Sequence, residues 1–228
     1  MKTTRCVGLV GGLGVGAAVY YYEQLAKAHA ERGRKMDFVM VHAETDRIFE
    51  YAAAGDRDGM AEYLCGFLRR LKAAGAEYGV IPAVTPHFCV RELAAISPLP
   101  LFDMFRAVNA EIAKRGLRRV AVFGARYTMD SKLFGLLEGV EVVASTPEEG
   151  SFIHEAYVGL LTDRPELEER RRGLTKLART LCERERLDAI VLAGTDFVVL
   201  FDEGNTEFPS VDCAALHLRA IVDGLLAE

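Results

Sequence analysis

The stretch Cys6-Val7-Gly8-Leu9-Val10-Gly11-Gly12-Leu13-Gly14 decides the fold. Its apolar run, Cys6–Val10, carries no charged side chain and reads as a strand buried on both faces. The glycines after it read as a tight turn that opens the helical pattern Ala17–Arg32. The same unit recurs along the chain. Short runs at Phe38–Val41, Gly79–Pro82, Arg119–Phe123, Val140–Val143 and Ala189–Leu192 each read as a strand buried on both faces. They alternate with helical patterns at Arg57–Ala74, Phe105–Arg115, Phe152–Leu161, Pro165–Glu185 and Cys213–Leu226. Strand and amphipathic helix in alternation predict an α/β protein with parallel sheets.

Four of the strands run into polar or glycine-rich turns: Gly11-Gly12-Leu13-Gly14, Ala83-Val84-Thr85-Pro86-His87, Gly124-Ala125-Arg126-Tyr127-Thr128 and Ala193-Gly194-Thr195-Asp196. Ligands of open α/β sheets bind at the carboxyl ends of strands, where helix N-termini offer free amide donors to anions. The turns therefore point to a small anionic ligand. Two fall in each half of the chain, which predicts two similar Rossmann-like lobes with a boundary near Ser97-Pro98-Leu99-Pro100, where prolines interrupt the helical pattern. The expected division is residues 1–98 plus 210–228 for the first lobe and 99–209 for the second, with the site in the cleft between them.

The 228 residues, 50% hydrophobic, suffice for one large core or two small ones. With 33 acidic against 28 basic residues, the chain has no basic field with which to hold a nucleic acid. No stretch approaches the roughly 20 apolar residues of a membrane helix. The N-terminal apolar run, about six residues long, is too short for a signal peptide, and a cytoplasmic location is expected. Five cysteines with no CxxC pair argue against a disulfide framework or a structural zinc site, so reduced thiols and no metal are expected. Cys6, Cys65 and Cys182 lie in buried-strand or helical patterns and read as core fillers. The charge run Glu166–Arg172 reads as a solvated helix face.

Gly12-x-Gly14-x-Gly16 invites a dinucleotide-binding reading, but the full fingerprint is missing, and the next strand continues through His42-Ala43-Glu44 without a clear ribose-binding acid. A turn that cradles a carboxylate, and a glycine turn chosen only for close packing, both remain open.

Taken together, the motifs carry a resemblance. Ala83-Val84-Thr85-Pro86-His87 resembles the Cys-Asn-Thr-x-His motif of the cofactor-independent aspartate/glutamate racemase family, and Gly194-Thr195-Asp196 resembles the Cys-Thr-Glu/Asp of its partner motif. Gly11-Gly12-Leu13-Gly14 with Tyr20-Tyr21-Tyr22 is similar to the family's opening loop and first helix. Gly124-Ala125-Arg126-Tyr127-Thr128-Met129 resembles its Gly-Thr-Arg-x-Thr-Met, and Val211-Asp212-Cys213-Ala214-Ala215-Leu216-His217 its Asp-Thr-x-x-x-His. Order and spacing agree over essentially the whole chain.

The resemblance implies two pseudo-symmetric lobes, a homodimer, and racemisation of an acidic amino acid without pyridoxal phosphate or metal, by two cysteines on opposite faces of the substrate. One acts as thiolate base and the other as thiol acid. Here the matching positions are Ala83 and Gly194, neither able to exchange a proton, and Val84 stands where the motif has Asn. The resemblance further implies that Arg47 clamps a distal carboxylate, the alternative being a surface arginine without a role. The family's lysine near Gly159-Leu160-Leu161-Thr162 has no counterpart.

Among the remaining groups, His87 is a candidate acid/base or an orienting histidine. Asp196 is a candidate base or a helix cap. Val84, Thr85, Thr128 and Thr195, with the loop Gly12, Leu13 and Gly14, are candidate ligand contacts. Cys89, expected well inside the helix after Ala83, and Cys213, beside Asp212, are weaker candidates for a replacement thiol. His217 is expected to pack or hydrogen-bond. The expected function is that of a divergent racemase-family enzyme acting on a small carboxylate or amino acid. The alternatives are an inactive carboxylate-binding homologue, or lyase or decarboxylase chemistry using His87 or Asp196.

Overall fold

In the computed structural model, which describes residues 5–161, 166–202 and 204–226, the first sheet is built on β1 (Val7–Gly11). After α1 (Val15–Glu31) the chain returns as β2 (Phe38–His42) beside β1, and after α2 (Thr45–Ala54) and α3 (Arg57–Ala73) as β3 (Tyr78–Val80) on its other side. Both pairings are parallel. The glycine at position 8 follows from packing: a side chain there would press on Leu71 and Ala76. Asp56 starts α3 by accepting from the Gly59 amide at 2.8 Å. After β3 come a short 3-10 helix, Thr85–Cys89, and α4 (Val90–Ile96).

The second sheet begins after α5 (Met104–Arg115). It contains β4 (Arg119–Gly124), β5 (Glu141–Val142), β6 (Ala189–Ala193) and β7 (Ser210–Asp212) in the order β5-β4-β6-β7, all parallel. Its helices are α6 (Arg126–Asp130), α7 (Pro147–Leu161) and α8 (Leu167–Glu185), with a second 3-10 helix, Thr195–Val199, directly after β6, while α9 (Cys213–Leu226) follows β7 and belongs to the first unit from His217 onward. The α/β class with parallel sheets is as expected. The expected helix start at Pro165 lies outside the described residues.

Three details depart from the sequence patterns. β2 is an edge strand and only half-buried, not covered on both faces, and β5, also at an edge, is largely open. β7 has no apolar run to announce it, because Val211 alone of its three residues is buried, and it exists through pairing with β6. The compact units are Met1–Met104 with His217–Glu228, and Phe105–Leu216. Their limits differ from the expected 98 and 210 for a local reason in each case. Leu101 bridges Gly79 and extends the first sheet, while β7 ties residues 210–212 to the second.

Candidate functional site

In the first unit the loop after β1 is set by backbone contact. Gly12 has φ 84° and Gly14 φ 137°, both in the region that favours glycine. A Cβ on Gly12 would overlap the Ala43 carbonyl oxygen and lie 2.9 Å from the Ala43 nitrogen. Two hydrogen bonds hold this approach: Ala43 N–H to Gly11 O at 2.9 Å and Thr45 Oγ1 to Gly12 O at 2.8 Å. Close packing therefore accounts for Gly12. Leu13 is buried beside it. Arg47, two residues into α2, is exposed; it pairs with Glu50 at 2.8 Å, and its guanidinium lies 5.5 Å from the centre of the Tyr51 ring.

At the end of β3, Ala83 and Val84 are buried and Thr85 is half-buried at the start of the first 3-10 helix. His87 Nδ1 lies 2.9 Å from Ala83 O, and its Nε2 accepts from the Met104 amide at 3.3 Å. The amide can only donate, so the His87 proton sits on Nδ1 and both ring nitrogens are engaged by backbone. His217 is arranged in the opposite sense. Its Nε2 donates to Phe102 O at 3.0 Å and its Nδ1 receives the Tyr21 hydroxyl at 3.1 Å. The two rings meet edge to face, 5.9 Å apart. This is the geometry of an orienting histidine. His87 holds the carbonyl of Ala83, the residue that the resemblance matches to the first cysteine.

In the second unit β4 and β6 end side by side, Gly124 opposite Ala193. A Cβ on Gly124 would lie 2.6 Å from Ala193 O, so glycine lets the two strand ends close up. The first amide of α6, on Arg126, donates to His154 Nδ1 at 3.1 Å, while the Arg126 guanidinium reaches Ser151. Thr128 follows, with a buried hydroxyl that has no hydrogen-bond partner among the described residues. Past β6, Thr195 and Asp196 are both buried on the second 3-10 helix.

Gly194, between β6 and this 3-10 helix, has φ −150° and ψ 112°, an extended conformation open to any residue. What forbids a side chain there is the ring of Tyr157, delivered by α7. A Cβ on Gly194 would overlap Tyr157 Cε2 and lie 2.7 Å from Cδ2 and 2.8 Å from Cζ. Tyr157 also packs on Phe197 with ring centres 5.1 Å apart. Burial, reinforced by the negative charge of Asp196, pushes the phenol far above its ordinary range. The sequence places Tyr157 only within the helical pattern Phe152–Leu161, and nothing in its own neighbourhood marks its contact with Gly194.

The model for Asp/Glu/Hydantoin racemase matches residues 10–221. The chain belongs to that family. Its fold is similar to that of an aspartate racemase homologue from Pyrococcus horikoshii OT3, with 23% identity, 100% of both chains covered and a TM-score of 0.76. It is likewise similar to Picrophilus torridus aspartate racemase, with 17% identity over 95% of this chain and 93% of that one and a TM-score of 0.75. A glutamate racemase from Francisella tularensis solved with D-glutamate shares 13% identity over 98% and 81% of the two chains, at a TM-score of 0.65.

Burial raises the thiols of Cys6, Cys89, Cys182 and Cys213 in this racemase-family chain and disfavours their thiolates. Cys89 stands at the junction of the 3-10 helix and α4, not well inside a helix, and donates to Pro86 O at 3.3 Å. Burial pushes it up to about 12. Cys213 is wholly buried and is likewise raised by burial, with Asp212 adding to the effect. Asp212 itself accepts from the Ala214 and Ala215 amides at 2.8 and 3.1 Å and caps α9. Arg170 of α8 lies over Gly159 and donates to Glu155 O and Ala156 O at 3.1 and 3.3 Å. Thr162 lies outside the described residues. No helix among the described residues is long and apolar enough to cross a membrane.

The histidine pair makes stability depend on pH. Burial, with His87 nearby, holds His217 down to about 3. His87 is also lowered by burial, with Asp103 and the backbone carbonyls opposing. In the unfolded chain both titrate near 6.5. Below that pH the unfolded chain takes up protons that the native one refuses. Stability is therefore expected to fall as pH drops from about 6.5, by roughly 1.4 kcal/mol per pH unit for His217, with His87 adding in the same direction, and to be flat above pH 7 from this cause. Urea midpoints at pH 7.5, 6 and 5 measure it. These lie above the range where Glu149 and Asp188, both lowered by hydrogen bonds, take up protons. Equal midpoints across that range would refute neutral burial of the pair.

Proposed function

We propose that this chain acts on a small carboxylate, a dicarboxylate or an acidic amino acid, without exchanging the α-proton between two thiols. The observation that carries this reading is the Tyr157 ring in the side-chain space of position 194. The second acid/base position is filled by an aromatic group from elsewhere in the chain, and Ala83 leaves the first without a titratable side chain. What speaks for a retained carboxylate site is the polar set at the neighbouring ends of β4 and β6: the buried Thr128 hydroxyl, Thr195 and Asp196. Strand ends of this kind are where α/β sheets take anionic ligands. With both His87 nitrogens engaged by backbone, Asp196 is the group best placed for proton transfer.

Thermal melting and proton exchange test the proposal together. Succinate, malonate and both enantiomers of aspartate and glutamate are the probes. At least one is expected to raise the melting temperature, while aspartate and glutamate keep their α-protons in deuterated water. Arg47→Ala is expected to diminish the ligand-induced rise and to leave the unliganded melting temperature in place, because the guanidinium is exposed. No rise with any probe would remove the carboxylate from the proposal, and rapid α-deuteration would remove its chemistry.

A second reading, a binder without turnover, is favoured by the engagement of His87. Turnover of any carboxylate that disappears in Asp196→Asn decides against it.

A further inference from the structure

Gly194 is not a glycine for its backbone. At φ −150° and ψ 112° alanine or cysteine would sit without strain. The residue is small because something else is there, and that something is one face of Tyr157. The ring packs on Phe197, 5.1 Å away between centres, and Phe197 in turn lies 6.3 Å from Phe201, so the ring belongs to a packed aromatic cluster.

The surroundings give this placement a chemical sense. Gly194 directly follows Ala193, the partner of Gly124 across the β4–β6 pair. A Cβ on Gly124 would lie 3.6 Å from the Thr128 methyl, which sets Thr128 at the adjoining strand end. A buried hydroxyl with no partner among the described residues is costly unless something polar meets it. At the same strand ends Tyr157 brings a second hydroxyl, carried on a ring that reaches where a side chain at 194 would have been.

We propose that Gly194 and Tyr157 work as one unit, the glycine making room for the ring and the phenol hydroxyl serving as the hydrogen-bond donor that this strand end offers to a ligand carboxylate or enolate oxygen. Burial and Asp196 keep the phenol protonated across the physiological range, so it donates and does not act as a base. Tyr157 thereby selects for ligands with an oxygen acceptor at this point. The donor role rests on the carboxylate function proposed above, whereas the pairing of glycine with ring does not.

Melting experiments on the full chain separate the two parts. Without ligand, Gly194→Ala is expected to lower the melting temperature by at least about 5 °C. Added to Tyr157→Ala, the same change is expected to lower it no further. Equal effects in both backgrounds, or a Gly194→Ala chain that melts like the parent, would overturn the pairing. With malonate and succinate as probes, Tyr157→Phe keeps the ring and is expected to bind at least about tenfold more weakly, with the unliganded melting temperature little changed. A Tyr157→Phe chain that binds the probes as the parent does would overturn the donor role and leave the carboxylate function standing. A parent chain that binds neither probe would overturn the donor role together with that function, and the pairing would still be judged by the unliganded melts.

Discussion

Ala83→Cys/Gly194→Cys, which puts cysteines back at both matching positions, is expected to produce no racemase and a less stable protein. The backbone at 194 accepts the change, but the Cβ would occupy the place of Tyr157 Cε2, and the ring is packed on Phe197. Overpacking of this kind costs about 1–3 kcal/mol, or several degrees of melting temperature for a chain of this length. The new thiol would stand against an aromatic ring instead of a substrate carbon. It would also lie in a buried setting near Asp196, which disfavours the thiolate that a base requires. Adding Tyr157→Ala to the two cysteines is expected to remove the overpacking cost of the cysteine at 194, so that this cysteine destabilises no further a chain already weakened by loss of the buried ring, and to give the only variant of the set with any α-proton exchange. The readouts are melting and deuterium incorporation into aspartate and glutamate. Racemisation by the two-cysteine variant with Tyr157 intact would show that the ring yields readily, and would remove the steric account.

Gly12→Ala is expected to have the largest effect on stability. Here the backbone itself is the obstacle. A φ of 84° costs a non-glycine residue roughly 1–2 kcal/mol. The Cβ also meets main chain, the Ala43 carbonyl, which cannot swing aside as a side chain can. Relief means separating the β1 loop from the start of α2, with the loss of the hydrogen bonds Ala43 N–H to Gly11 O and Thr45 Oγ1 to Gly12 O, each contributing about 1 kcal/mol. The sum, about 3–4 kcal/mol, is a large part of the 5–15 kcal/mol typical of folded domains. Urea unfolding should show it, or the variant should fail to accumulate in folded form. A loss below about 1 kcal/mol would mean that the loop is not locked as described.

How much of this was legible in the sequence depends on whether the cause is local. Strands such as β1 and β6 announce themselves because burial on both faces demands uninterrupted apolar residues, and the helices through their spacing. β7 does not, since Ser210 and Asp212 are polar and the strand is held by its neighbour. For the candidate site, the motif positions gave the strand ends on which Ala83, His87, Gly194 and Asp196 sit. They did not give their roles. Whether His87 could transfer a proton turned on Met104, 17 residues away, whose amide occupies Nε2. Why position 194 lacks a side chain turned on Tyr157, in another helix altogether. Neither dependence leaves a periodicity or a spacing to be read.

The opposite protonation of His87 and His217 also has a practical value. The chain contains no tryptophan, so intrinsic fluorescence offers little that distinguishes one part of the molecule from another. Both histidines belong to the first unit, each with its proton held in a buried hydrogen bond to a carbonyl. Such protons exchange slowly with solvent, and on nitrogen-15 labelling Nδ1–H and Nε2–H give separate correlations. The pair is a natural spectroscopic label. Its two signals should vanish together when the first unit opens, whatever the second is doing, and so report whether the two halves of the chain unfold as one.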